Sequence, residues 1–287
     1  MNFVISLKSR GYRETTIEGY SKDLKHLARY VDLNVPDEVR LFIGERRVKE
    51  SRKEKLVSEY DNYVKWKGLV WDKPIYRRDR ALPFIPLERE IDQLIGSSRG
   101  KTSTFLQFIK ESAARPIEAW RVTLDMLDAE RGVIYINDPA KHSNPRVFRP
   151  SAQLWAMINR LPKKTRFIFR DHEESSLENF CRTFYKIRKR TAERLQNPRL
   201  LKIGPRTLRH FKATIEYART KDILYVMNLL GHKSIKNTLV YTHLIDLRSD
   251  EFACKVARTV DEATKLIESG FEYVTDLEGL KLFRKRK

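Results

Sequence analysis

Residues 204–243 read GPRTLRHFKATIEYARTKDILYVMNLLGHKSIKNTLVYTH, and the reading of this stretch decides the fold. Leu208, Phe211, Ile215 and Ala218 recur at steps of three and four, which is one face of an α-helix. Arg206, Arg209 and Lys212 recur at steps of three and gather on a neighbouring face. A second apolar run, Ile223, Val226, Met227 and Leu230, stops at Gly231, a residue suited to the left-handed conformation that ends helices. His232 therefore sits just past a helix end. Ser234 can cap the next short helix, which leads through Thr238 to Tyr241.

A tyrosine held near several arginines and a histidine suggests phosphodiester chemistry with Tyr241 as nucleophile. A phenol ionises near pH 10, so it attacks poorly at neutral pH unless nearby cations favour the phenolate. The same cations would bind the phosphate under attack and the charge that accumulates on its oxygens. Taken singly, Tyr241 reads as a half-buried aromatic, the arginines as a solvated face and His232 as a cap residue. The set together points to a site.

The segments TLRHFKAT and LLGHKSIKNTLVYTH, and the spacing between them, resemble the tyrosine recombinase family of integrases and resolvases. The resemblance implies that Arg209 clamps the scissile phosphate, His232 supports it and Tyr241 attacks. It extends upstream to SAARPIEAWRVTLDML, which resembles the segment carrying the first catalytic arginine. This implies Arg115 as the second clamp and Glu118 as its buttress. Residues 132–136 and 146–148 read as the strands of a hairpin whose turn spans 138–144. In the family a lysine in such a hairpin protonates the leaving 5′ oxygen, and Lys141 matches it best, with Lys101 and His142 as substitutes. One departure stands out: the family usually has histidine, as proton acceptor, where this chain has Arg206. Arginine is not deprotonated in proteins. Either Arg206 positions phosphate and lowers the tyrosine's pKa, which is the expectation here, or water or another residue takes the proton.

The chain has 287 residues, enough for two domains, and 41% apolar residues can supply their cores. Its net charge of +20 points to a polyanionic partner, a feature shared with ribosomal and membrane-surface proteins. Cys181 and Cys254 form no disulfide or metal-ligand framework, which fits a reducing cytoplasm. No apolar run approaches the ~20 residues that span a membrane, and neither a phosphate-binding glycine loop nor a compact acidic cluster for two metals is found.

Residues 1–71 read as a helical domain. Thr15 and Glu18 fit a capping box before Ile17, Tyr20, Leu24, Leu27 and Val31, and further helices are expected over 37–47 and 51–66, the last ended by Gly68. The stretch TTIEGY resembles the first signature of the family's core-binding domain, implying a DNA clamp. Residues 72–86, with Pro74, Pro83, Pro86, Arg77, Arg78 and Arg80, form a stiff basic linker that either follows a phosphate backbone or merely connects. Residues 87–287 form the second domain, with helices over 87–95, 104–114, 151–161 and 176–195, a short strand over 166–169 and a helix over 251–267 before the basic end LFRKRK. Phe252, Val256 and Val260 on that last helix pack either on a neighbouring protomer, as the resemblance implies, or on their own domain.

The expected architecture is mainly α with a small β-sheet in the catalytic domain. The expected activity is site-specific recombination through a 3′-phosphotyrosyl intermediate, without metal, ATP or other cofactor. The expected partner is double-stranded DNA, with four protomers assembled on it and no membrane, in an archaeal or bacterial cytoplasm on the nucleoid. A mobile-element integrase is preferred. A type IB topoisomerase would share these residues without exchanging partners, and a catalytically lost DNA-binding relative would be indifferent to Tyr241→Phe.

Overall fold

The computed structural model describes residues 2–77, 82–244, 252–277 and 280–286. The chain divides into two compact units, Met1–Ala81 and Leu82–Lys287. Arg78 and Arg80 of the expected linker lie outside the described residues.

The first unit holds α1 (Phe3–Ser9), α2 (Glu14–Leu27), α3 (Pro36–Glu45) and α4 (Glu50–Lys67). Leu7, Leu24, Leu27, Val39, Ile43, Leu56 and Tyr60 meet in its core. Trp71 and Tyr76 pack against the same core, so part of the expected linker belongs to this unit. The capping box at Thr15 is not formed: the N-cap is Arg13, without a side-chain cap, and Thr15 lies inside the first turn. α4 ends as the sequence suggests, on Gly68 at φ 72°. Asp23, buried in α2, is held by both terminal nitrogens of Arg52, at 2.7 and 2.6 Å, and by Lys55 at 2.7 Å.

The second unit begins with α5 (Glu88–Ser97), α6 (Gly100–Ser112) and α7 (Pro116–Trp120). β1 (Leu127–Asp128), β2 (Val133–Ile136) and β3 (Arg146–Phe148) follow as an antiparallel sheet in that order, with Ile134 opposite Phe148. Next come α8 (Ala152–Asn159), α9 (Leu177–Arg194), α10 (Pro205–Thr220) and α11 (Ile223–Leu230), and two 3₁₀ turns, Ile235–Asn237 and Leu239–Leu244. Ser151 and Ser176 cap α8 and α9 through their hydroxyls. α6 is buried on nearly every side. Phe105 and Phe108 from it meet Phe169, and Trp120, Ile134, Leu154 and Phe184 complete the core.

Several expectations are corrected. Residues 166–169 form no strand: Phe167 makes one isolated bridge to Thr123, and Ile168 donates to the Val122 carbonyl. The short helix expected after Ser234 is a pair of 3₁₀ turns, and Ser234 stands at the N-cap of the first without a side-chain cap bond. On α10 Ile215 faces outward, 44% exposed, while Ala213 on another side is fully buried against Ala113, Val226 and Leu230. This helix is covered on two sides, so one apolar stripe understates its burial. Finally, the expected 251–267 helix is β4 (Phe252–Ala257) followed by α12 (Val260–Glu268). β5 (Glu272–Leu277) and β6 (Leu280–Arg286) join β4 in a second antiparallel sheet, ordered β4-β6-β5. Thr259 accepts from the Glu262 amide and starts α12, which explains why the helix begins there and not earlier. Val256 and Val260 are exposed, and the side chain of Phe252 lies outside the described residues.

Candidate active site

Four separate segments of the second unit converge on an open cavity of about 660 Å³. α6 ends at Ala113 in the left-handed conformation, φ 52°, and Arg115 follows as the N-cap of α7, with Pro116 in the first turn where its missing N–H costs nothing. The hairpin between β2 and β3 contributes Lys141, α10 contributes Arg206 and Arg209, and the end of α11 and the turns after it contribute His232 and Tyr241. All six side chains singled out from the sequence line this one cavity.

Glu118 organises it. Its carboxylate accepts from the Arg115 amide at 2.8 Å, from Arg115 Nη1 at 2.7 Å, from the Ala140 amide at 3.1 Å and from Arg146 Nη2 at 2.5 Å. Arg209 Nη1 lies 4.0 Å away. Burial would raise the carboxyl's pKa, but Arg146 and Arg115 hold it down to about 2. Three arginines thus surround one buried carboxylate, and the unbalanced positive charge suits an anion. Among the described residues no three His, Cys, Asp or Glu side chains come together as metal ligands.

Arg209 is 4% exposed and cannot swing. It donates to the Ala113 carbonyl, to the Leu230 carbonyl at 2.9 Å and to His232 Nε2 at 3.1 Å. Burial first, then Arg115 and Arg146, pull its pKa down to about 9, which leaves it charged at neutral pH. His232 is placed by the end of α11: its amide reaches the Met227 carbonyl and that of Gly231 reaches Asn228, the paired bonds of a Schellman ending. Because Arg209 can only donate, Nε2 of His232 is the acceptor and Nδ1–H faces Thr238 Oγ1 at 2.9 Å. Burial and the same arginines push this imidazole down to about 4, so it is neutral. Gly231 is required on two counts. Its φ is +66°, and a Cβ there would stand 2.7 Å from the Asn144 carbonyl oxygen and 3.2 Å from Arg146 Nη1. The helix end and the hairpin therefore touch backbone to backbone, and the Asn144 amide donates to the Gly231 carbonyl at 2.9 Å.

Lys141 is exposed at the hairpin tip, and both it and His142 adopt positive φ, 58° and 55°. Of the two substitutes considered for it, His142 also lines the cavity, whereas Lys101 is tied to Asp171 at 2.6 Å. Arg206 lines the cavity from an exposed position. It was expected to lower the tyrosine's pKa, and this is corrected: the cations that act on Tyr241 are Arg209 and Arg115, and Arg206 acts on His210. The net shift is also opposite in sign. Tyr241 is 2% exposed, and burial outweighs both arginines and raises its pKa.

Three participants were missed from the sequence, and a fourth, His210, entered it only as one of the residues that could take the tyrosine's proton in place of Arg206. Arg146 is buried on Glu118, Ser143 Oγ accepts from Arg115 Nη1 at 2.7 Å, Thr238 orients His232, and His210 Nδ1 lies 3.0 Å from the Tyr241 hydroxyl. Only His210 gave a signal, one residue after the clamp arginine on a helix already assigned to the site. Hydroxyls and strand arginines carry none without the fold.

The family model described as the phage integrase family matches residues 87–248. Tyrosine recombinase XerD of Listeria innocua serovar 6a is 24% identical over 279 residues, covering 83% of this chain and 91% of that protein. Tyrosine recombinase XerC of Thermodesulfovibrio yellowstonii is 24% identical over 280 residues, covering 86% and 91%. In fold, the chain is similar to the integrase of the Tn1549 transposon in complex with a circular intermediate DNA, with a TM-score of 0.66 and 14% identity over 93% of this chain and 98% of that one. A lambda integrase dimer bound to a COC′ core site gives 0.65 and 14%, over 83% and 92%. A family match that runs through the whole cavity and over more than half of the chain settles the assignment: the protein belongs to the phage integrase family, the tyrosine recombinases.

Proposed function

We propose that this recombinase cuts and rejoins DNA at a specific site through Tyr241. The observation that carries the reading is the convergence of Arg115, Lys141, Arg209 and His232, from separate segments, around a tyrosine in a cavity with surplus positive charge. Arg115 and Arg209 hold the non-bridging oxygens of the scissile phosphate, each fixed by Glu118 or by backbone carbonyls, so little reorganisation is needed when charge builds up. Tyr241 Oη bonds to phosphorus as the P–O5′ bond breaks, and Lys141 gives its proton to the departing 5′ oxygen. The product is a 3′-phosphotyrosyl bond and a free 5′ hydroxyl. A 5′ hydroxyl from the partner strand reverses the step. The energy of the broken bond is retained in the new one, so the scheme calls for neither metal nor ATP. The first unit would bind DNA as well, and exchange between two duplexes calls for four protomers. The net charge of +20 supports a salt-sensitive hold on the duplex.

Covalent trapping tests this. The protein is incubated in EDTA with nicked duplexes from the DNA flanking its own gene, then denatured and examined for a protein–DNA adduct. An adduct from wild type and none from Tyr241→Phe is the expected result. An adduct from both removes Tyr241 as the nucleophile.

A further inference from the structure

We infer that His210 is the proton acceptor for Tyr241, and therefore a catalytic residue in its own right. The inference rests on the proposal that Tyr241 is the nucleophile. Its basis is geometric: Nδ1 of His210 lies 3.0 Å from the Tyr241 hydroxyl, within reach for proton transfer. Among the described residues, His210 is the side chain that hydrogen-bonds that hydroxyl. The rings are 5.9 Å apart and tilted at 43°, so the contact runs through the nitrogen and is not a stack.

The alternatives around the hydroxyl are unsuited. As guanidinium cations, Arg206, Arg209 and Arg115 have no lone pair with which to accept a proton. Nε2 of His232 is occupied by Arg209 and its Nδ1 by Thr238, so neither nitrogen faces the tyrosine. His210 has the opposite environment. Burial, then Arg209 and Arg206 on its own helix, lower its pKa, so the ring is neutral and Nδ1 can accept. From the other elements around the cavity, Arg115 and Lys141 add positive charge, as does Lys233, while His142 and His232 are the remaining titratable rings. The three cations oppose protonation of the ring before substrate arrives, and an incoming phosphate offsets them.

The step balances. The Tyr241 O–H proton passes to His210 Nδ1 as Oη bonds to phosphorus, the P–O5′ bond breaks, and the 5′ oxygen takes a proton from Lys141. In the rejoining step the incoming 5′ hydroxyl returns its proton to Lys141 and His210 returns its own to the phenolate. Arginine at position 206 is then tolerated because the proton has another destination one turn further along α10.

The experiment is single-turnover adduct formation at saturating DNA, as a function of pH, for wild type, His210→Asn, His210→Ala, Arg206→His/His210→Asn and Tyr241→Phe. Asparagine keeps a hydrogen-bonding group beside the hydroxyl but takes no proton. DNA affinity and thermal unfolding of each variant verify folding. The expected result is a rate lowered about 10²–10⁴-fold in His210→Asn with DNA binding retained, loss of the limb on which wild type slows at low pH, and partial recovery in the double variant. His210→Asn at the wild-type rate, or a slower variant that keeps the acid limb, overturns the proton transfer; the second result leaves His210 only positioning the tyrosine. An adduct from Tyr241→Phe instead sinks the nucleophile reading on which the inference stands.

Discussion

Glu118→Gln is the sharpest test of how the site is held. The carboxyl is 1% exposed, so solvent does not dilute its interactions. Its pKa is held at about 2 against an ordinary value of 4.5. At 1.36 kcal/mol per unit, the charged form is favoured by roughly 3 kcal/mol in the folded state. Glutamine keeps the shape, and one oxygen can still accept from Arg115 or Ala140. Its amide nitrogen must then face Arg146 Nη2 or Arg115 Nη1, donor against donor, with Arg146 buried and uncompensated. A loss of about 3 kcal/mol is expected at neutral pH. Because the chain has two units, hydrogen exchange of the α6 and α10 amides is the suitable assay, since it reads the opening of this unit alone. The sign of the pH dependence is fixed. A depressed carboxyl pKa contributes stability that is complete above 4.5 and lost as pH falls toward 2, so wild type and variant should converge over that range. Adduct formation should fall as well, because Arg115 loses the group that aims it. A deficit below about 1 kcal/mol at pH 7, or one that persists unchanged at the acid end, would refute Glu118 as the organising charge.

His232 should titrate near pH 4 in the free protein, and imidazole NMR should show the Nδ1–H tautomer throughout neutral pH; a midpoint above 6 would break the assigned network. Gly231→Ala combines a left-handed residue, about 1–2 kcal/mol, with a Cβ placed 2.7 Å from the Asn144 carbonyl oxygen. Urea denaturation should show at least that loss, and cleavage should suffer more than DNA binding because the Lys141 hairpin is pushed away; a neutral substitution contradicts the close approach. In the first unit Glu59 is 4% exposed, and burial with the neighbouring Asp23 raises its pKa to about 7. Its charged form is disfavoured by folding, so Glu59→Gln should raise the melting temperature at pH 8 and leave it unchanged near pH 4; equal effects at both pH values would mean that the charge is not the cause.

Much of this was legible in the chain because the site lies on helix ends and tight turns, where sequence has few options. Gly231 announces the end of α11 and therefore the place of His232, and Pro116 announces the start of α7 and therefore Arg115. What escaped depends on pairing across distance. Arg146 sits opposite Ile136 in a three-residue strand, and nothing local says that it turns under the hairpin to meet Glu118. The second sheet escaped for a different reason. Alternation in FACKVA is short and alanine-rich, and β4 and β5 have only β6 between them as a partner, so helix periodicity from α12 dominates the window. Thr259 and Glu262 were the local signs that the helix starts later.

The resting state of Tyr241 constrains how its proton leaves. The sequence suggests an arginine field that lowers the tyrosine's pKa, but the buried ring has a raised pKa even with Arg209 and Arg115 nearby. A bound phosphodiester adds negative charge and cancels part of that field, so ionisation before attack becomes harder when substrate is present. The same negative charge acts on His210 in the favourable sense, since it stabilises an imidazolium that Arg206 and Arg209 otherwise oppose. Substrate binding thus disfavours a free phenolate and improves the neighbouring base at once. On this reading the proton moves only as the O–P bond forms, and a tyrosine without DNA stays protonated and inert in its cavity.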